Sequence, residues 1–191
     1  LIPPRSKETT GVPHIAASRE ASTTSLETRL VAWQRASADG VREALIVRGD
    51  PKGAHSIDDV TSSARAASGA FGTSLELLET GALQRCGIEA VSLCGHPEGV
   101  GGLSPDAARA ALAEKLRWAD ANGVHARVVT QFCFFSGAAT GFVDALRADG
   151  LGVEVSLGIV GPSSLPLRQR MAERCDVAPP TSPYVTPFMR R

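Results

Sequence analysis

The run Arg127-Val-Val-Thr-Gln-Phe-Cys-Phe-Phe135, set between Gly123 and Gly137, limits the fold more than any other stretch of the chain. It has the length of a strand, is rich in β-branched and aromatic residues and lacks polar alternation. Such runs predict a strand buried on both faces, the kind found in parallel sheets. Thr130 and Gln131 stand at its centre. A buried glutamine must find partners for its amide, because an unpaired polar group costs about 1–3 kcal/mol. Gln131 therefore either bonds the backbone of a neighbouring strand or serves a ligand.

The segments on either side alternate between strand and helix signals. Residues 1–11, with no periodicity, predict an irregular arm. Pro13-His-Ile-Ala-Ala17 is a short strand. Thr24-Ser-Leu-Glu27 forms a capping box for a helix that puts Leu26, Leu30 and Trp33 on one face and closes at Gly40. Residues 43–48 predict the next strand, broken by Gly49-Asp50-Pro51. A long loop follows to Gly72, with a helical turn near residues 58–67; loops of this length are functional or disordered. Thr73-Ser-Leu-Glu76 is a second capping box, for a short helix stopped at Gly81.

Residues 89–94 predict a third strand, which runs into Gly95-His-Pro-Glu-Gly-Val-Gly-Gly102. There glycines allow close backbone approach, while His96 and Glu98 can titrate or coordinate. Ser104 caps a helix with Pro105 at its first position, and Ala108, Leu112, Leu116 and Ala119 recur at helical spacing. Beyond the central run, Phe142, Val143 and Leu146 mark a helix ended by Gly150. Residues 153–159 predict a fifth strand, and a helix covers about 165–174.

Five strands alternating with helices, joined by short glycine-containing turns, predict a parallel α/β domain over residues 12–177, followed by a Pro-rich irregular tail over 178–191. At 191 residues the chain is most simply one domain. Its 20 basic and 20 acidic residues cancel, which leaves no electrostatic footprint for nucleic acid or an anionic membrane. Small molecules or proteins are the expected partners, a second copy of the chain in a homo-oligomer among them. No apolar run reaches the roughly 20 residues of a membrane helix, and Leu1-Ile-Pro-Pro-Arg-Ser-Lys lacks the apolar core of a signal peptide, so the chain reads as cytoplasmic. Cys86, Cys94, Cys133 and Cys175 show no Cys-x-x-Cys spacing and read as reduced, packed thiols; no metal is expected.

A Rossmann sheet and a barrel both satisfy this alternation. Polar chemistry collects on or beyond strand C-terminal ends: Arg48-Gly-Asp50, His96 to Glu98, Gln131 and Ser163. In a barrel those ends form one mouth. No Gly-x-Gly-x-x-Gly follows the first strand and no Gly-x-x-x-x-Gly-Lys-Ser/Thr occurs, which counts against dinucleotide-fold and phosphate-loop readings.

Taken in order, Pro13-His14-Ile, Leu45-Ile-Val-Arg-Gly-Asp50-Pro, His96-Pro-Glu98-Gly, Val129-Thr-Gln131-Phe, Gly158-Ile and Pro162-Ser-Ser resemble the methylenetetrahydrofolate reductase family, in a divergent bacterial branch. The resemblance runs from about Val12 to Val177. It implies a partial TIM (β/α)8 barrel of the FAD-linked oxidoreductase type that reduces 5,10-methylenetetrahydrofolate to 5-methyltetrahydrofolate with NAD(P)H. By the same resemblance, Asp50 lies near the flavin N1 to C2 edge and the pterin, and Arg48 and Gly49 help bind FAD. Gln131 contacts nicotinamide and folate in turn. His14 matches a flavin-contacting histidine, Gly72 lies near the adenosine side, Lys115 belongs to the pyrophosphate-neutralising cluster, and Glu98 is placed at the substrate. A cofactor carries the redox chemistry while the protein orients and tunes it.

Bland readings accompany these roles: Asp50 as a turn residue before Pro51, His14 as a core histidine, Glu98 as a cap on its own loop, and Lys115 as a solvated helix residue. The sequence also departs from the family. His96 stands where a flavin-stacking tyrosine is expected, Val100 where a second histidine is, and Met171 near an expected aromatic residue. These departures keep open a flavin-free reductase, a folate-dependent methyl-transfer or demethylation enzyme, and a non-catalytic folate-binding remnant. Five strands are fewer than a closed barrel's eight. The resemblance accordingly predicts that the first two strands and the last are missing, together with the glutamate proposed as the family's catalytic acid.

Overall fold

The computed structural model describes residues 12–37, 40–49 and 71–180. Its elements, in chain order, are β1 (His14–Ala16), a 3-10 turn (Ala17–Arg19), α1 (Thr23–Ala36), β2 (Glu43–Val47), α2 (Ser74–Glu79), α3 (Ala82–Arg85), β3 (Ala90–Gly95), α4 (Pro105–Ala121), β4 (His125–Thr130), α5 (Ser136–Ala148), β5 (Glu154–Ser156) and α6 (Leu165–Cys175). No helix among the described residues is long and apolar enough to cross a membrane.

The strands form one parallel sheet in the order β1-β2-β3-β4-β5. Each connection therefore advances the chain by one strand in the same direction. A doubly wound sheet reverses its strand order at a switch point; this sheet has no reversal among the described strands. Registers pair His14 with Leu45 and Ala16 with Val47 at one edge, and Arg127 with Glu154 and Val129 with Ser156 at the other.

Two compact units divide inside β3, 1–91 and 92–191. In the first, Ile15, Ala44 and Ile46 are buried while His14, Leu45 and Val47 on the opposite face are partly or wholly open. Helix α1 buries Leu26 and Leu30, one turn apart, and packs against α3. Gln34 fastens the end of α1 to the entry of β2: its Oε1 accepts the Val41 N–H at 2.7 Å and its Nε2 donates to the Cys86 carbonyl at 3.0 Å. Buried Glu20 is neutralised by Arg29, whose guanidinium also lies 5.0 Å from the Trp33 ring centre.

In the second unit, α4 lays Leu112, Ala113, Leu116 and Ala119 along one stripe and packs on β4. Its start follows the sequence signal, Ser104 Oγ accepting the Ala107 N–H at 3.2 Å with Pro105 next. Helix α5 buries Ala139, Phe142 and Leu146. A Cβ at Gly95 would fall 2.8 Å from both the Phe142 ring and the Val128 side chain, so a glycine at the end of β3 lets α5 close on the sheet.

Several expectations are corrected. The central run is not one strand: β4 ends at Thr130, and only Val128 and Thr130 on one face are buried. Residues 132–135 leave the sheet instead, because Phe134 is drawn into an apolar cluster with Ala172 and Val177. The fifth strand shrinks from seven residues to three, half exposed. The first helix is capped by Ser22, whose hydroxyl accepts the Ser25 N–H, rather than by Thr24. Thr73 does cap its helix, but Glu76 reaches back to the Gly72 N–H instead of completing the box on Thr73. Helix α3 carries too few residues to show a period. Asp50, Pro51 and the helical turn expected near 58–67 lie outside the described residues.

Candidate functional site

Beyond β3 and β4 the second unit gathers most of the polar residues singled out above. The Gln131 N–H donates to the Gly95 carbonyl at 2.7 Å, which sets the first residue after β4 beside the last residue of β3. The bond to a neighbouring strand is thus made by the main chain. The Gln131 side chain turns to its own neighbour, Oε1 accepting the Phe132 N–H at 3.1 Å. That orients the amide with its oxygen toward Phe132 and its nitrogen, a donor of two protons, at the other end. Thr130, pointing the other way, accepts the Gly158 N–H on Oγ1 at 2.9 Å and ties the end of β5 to β4.

His96 follows β3 half-buried, and its Nδ1 has no hydrogen-bond partner among the described residues. Burial, reinforced by the nearby Lys115 charge, lowers its pKa below the ordinary value. Lys115 is half-buried on α4 rather than solvated. Burial lowers its own pKa, opposed by Cys94 and Glu114. Burial likewise raises the Cys94 thiol, with Lys115 pulling the other way. Cys94, His96 and Lys115 therefore share one electrostatic neighbourhood. Cys133, just past Gln131, is pushed up to about 11 by burial and by the charge of Glu98. Glu98 does not cap its own loop: Oε2 accepts the Ala178 N–H at 2.6 Å.

The lowered His96 pKa has a measurable sign. Below about pH 6.5 the unfolded imidazole takes up a proton that the folded one resists. Stability from this group is complete above that pH and is lost as the pH falls toward the folded value. Denaturant unfolding from pH 7.5 to 5.5 is expected to show a loss for the wild type that His96→Gln lacks. Parallel profiles for the two proteins would remove His96 from the buried set.

In the first unit, Arg48 and Gly49 follow β2, and His14 is exposed at the start of β1. Gly49 has φ +74°, and a Cβ there would lie 2.7 Å from the Ala16 Cβ and 2.8 Å from Ser18 Oγ. The Ser18 N–H donates to the Arg48 carbonyl at 2.8 Å, while its hydroxyl is buried with no partner among the described residues. Gly72 is held by Glu76 at the start of α2, a structural duty.

The structure thus brings His96 to Lys115, Gln131 to Gly95 and Glu98 to Cys133 within one unit, and Arg48 and Gly49 to the β1 end in the other. Sequence reasoning missed Ser18, Cys94 and Cys133 as members of these neighbourhoods. Cys94 and Cys133 carried a usable signal, each lying within two residues of a residue already singled out; Ser18 carried none. No protein-family model matches the chain.

Proposed function

We propose that the protein is a methylenetetrahydrofolate reductase-like oxidoreductase, reducing 5,10-methylenetetrahydrofolate to 5-methyltetrahydrofolate with NAD(P)H on a partial (β/α)8 barrel. The observation that carries this reading is the 2.7 Å bond from the Gln131 N–H to Gly95, at the C-terminal ends of consecutive parallel strands. It sets side by side two of the motifs on which the resemblance rests. Catalytic groups of barrels lie at that end of the strands, and a parallel sheet of sequential order is compatible with an arc of such a barrel.

Groups in each unit support a reading with FAD as well as a nicotinamide. In the second unit, His96 Nδ1 is a buried polar atom that a ligand would satisfy, with the Lys115 charge near it; in the first, Ser18 Oγ is likewise buried without a partner among the described residues. Bound flavin would supply hydride transfer between nicotinamide and folate. The residues that the resemblance assigns to it are His14, Arg48, Gly49, Asp50, Gly72, His96 and Lys115. Gln131 presents donor protons to a carbonyl, of a carboxamide or a pterin alike. His96, kept neutral by its surroundings, offers a hydrogen bond without charge.

Purified protein, scanned for flavin absorption and assayed for NADH or NADPH oxidation with methylenetetrahydrofolate, tests this. Oxidation coupled to 5-methyltetrahydrofolate is expected, and Asp50→Asn should reduce turnover while leaving the melting temperature unchanged. Colourless protein with the same coupled turnover would identify the flavin-free form. Tetrahydrofolate-dependent methyl transfer without nicotinamide oxidation would replace the reductase with the demethylase reading, and folate binding without turnover would leave a binding remnant.

A further inference from the structure

The segments that follow β3, β4 and β5 all meet one end of α6. Phe132 and Phe134, after β4, stack edge to face with ring centres 5.5 Å apart. Phe134 packs with Ala172 and Val177, joined by Phe132, by Val160 from beyond β5 and by Cys175. Glu98, from the loop after β3, accepts the Ala178 N–H at 2.6 Å. A helix that only covered a sheet face would not reach three strand-end loops. The turn responsible is Asp176, in the left-handed region at φ 53°, after which the Val177 N–H closes on the Ala172 carbonyl at 3.0 Å. Asp tolerates that conformation better than most residues, and it folds Val177 and Ala178 back onto the loops.

We propose that the end of α6, with Asp176, Val177 and Ala178, is a closure over the ends of β3 to β5, latched by Glu98, whose release admits ligand to Gln131. The link to Gln131 is direct, since the Phe132 whose ring packs under the closure also donates its N–H to Gln131 Oε1. The acceptor is a carboxylate, and a hydrogen bond to a charged acceptor is stronger than a neutral one. The ligand named here rests on the reductase reading; the latch itself does not.

The test needs no ligand. In the wild type the Ala178 amide should be protected from hydrogen exchange. Cys133, 3% exposed, beside Phe132 and Phe134 in the chain and within the field of Glu98, should react slowly with N-ethylmaleimide. Glu98→Ala should speed Cys133 alkylation, mapped by peptide mass, about tenfold, with Cys86 and Cys94 unchanged. Glu98→Gln, which removes the charge that raises the Cys133 thiol but keeps an acceptor oxygen, should fall between; equal acceleration by the two variants reflects loss of that charge alone and overturns the latch. An unprotected Ala178 amide in the wild type overturns the latch, as does Cys133 labelling that fails to accelerate or rises only in step with Cys86 and Cys94. A working latch in a protein that binds neither folate nor nicotinamide would sink the reductase reading and leave the closure standing.

Discussion

Gly99→Ala is expected to lower the melting temperature by about 6–12 °C, which for a chain of this size corresponds to about 3 kcal/mol. Gly99 has φ +89°, and a Cβ there would sit 2.3 Å from the Leu103 carbonyl oxygen. Two costs add. The left-handed backbone alone disfavours a side chain by about 1–2 kcal/mol, and the contact is with main chain, which cannot swing away. The loop has little room to yield, because the Val100 and Leu103 backbones bond each other at 2.9 and 3.2 Å and Ser104 caps α4 immediately afterwards. Gly101 separates the two costs. It also has positive φ, +57°, but a Cβ there meets nothing within 4 Å. Gly101→Ala should therefore show the conformational cost alone, about 1–2 kcal/mol. Equal melting temperatures for the two variants would mean that the loop relaxes around the Gly99 contact. Because Glu98 precedes Gly99, Gly99→Ala should also release the Ala178 amide.

Local signals were legible at α4 and at the glycines that end helices, though not at the start of α1, where Ser22 rather than Thr24 is the cap. Ser104 followed by Pro105 starts α4 as the capping rules require, and Leu112, Leu116 and Ala119 are buried as their spacing predicts. Gly81 and Gly150 turn with positive φ where helices were expected to stop. The central run misled because periodicity cannot separate a buried strand from a strand followed by residues buried elsewhere. Val128 and Thr130 are covered as strand residues, whereas Phe134 is covered by Ala172 and Val177. Nothing local distinguishes the two kinds of burial. Strand order was undetermined for the same reason: alternation fits a sheet that reverses and one that does not, and only pairing chooses.

The site divides along the same line. That Gln131, His96 and Glu98 fall at strand ends was readable, because strand ends follow from turn residues. Their partners were not. Glu98 finds its donor 80 residues along the chain, and the Lys115 charge reaches His96 only once α4 has packed on β4. The expected helix-surface role for Lys115 failed because its long side chain can follow apolar surface inward, a choice set by tertiary packing.

Gln131→Leu should weaken both reduced nicotinamide and folate by about tenfold to a hundredfold, the range for losing one or two hydrogen bonds in a partly desolvated pocket. Leucine fills similar space but removes both ends of the amide. Besides the donors proposed to serve ligands, the Phe132 N–H loses its acceptor at 3.1 Å, so a stability loss of about 1 kcal/mol is expected as well. Leucine alone cannot tell a ligand donor from a backbone brace. Gln131→Glu can: a carboxylate still accepts from Phe132 but offers no protons to a carbonyl. If the amide nitrogen serves ligands, Gln131→Glu should melt near the wild type and bind both ligands as poorly as Gln131→Leu in calorimetric titrations. If Gln131 only braces Phe132, Gln131→Glu should match the wild type in both respects, while Gln131→Leu loses stability with affinities intact. The paired loss is the specific part of the expectation, because one donor serving two ligands in turn requires both dissociation constants to rise together. A rise in one alone would assign Gln131 to that ligand and require a different residue for the other.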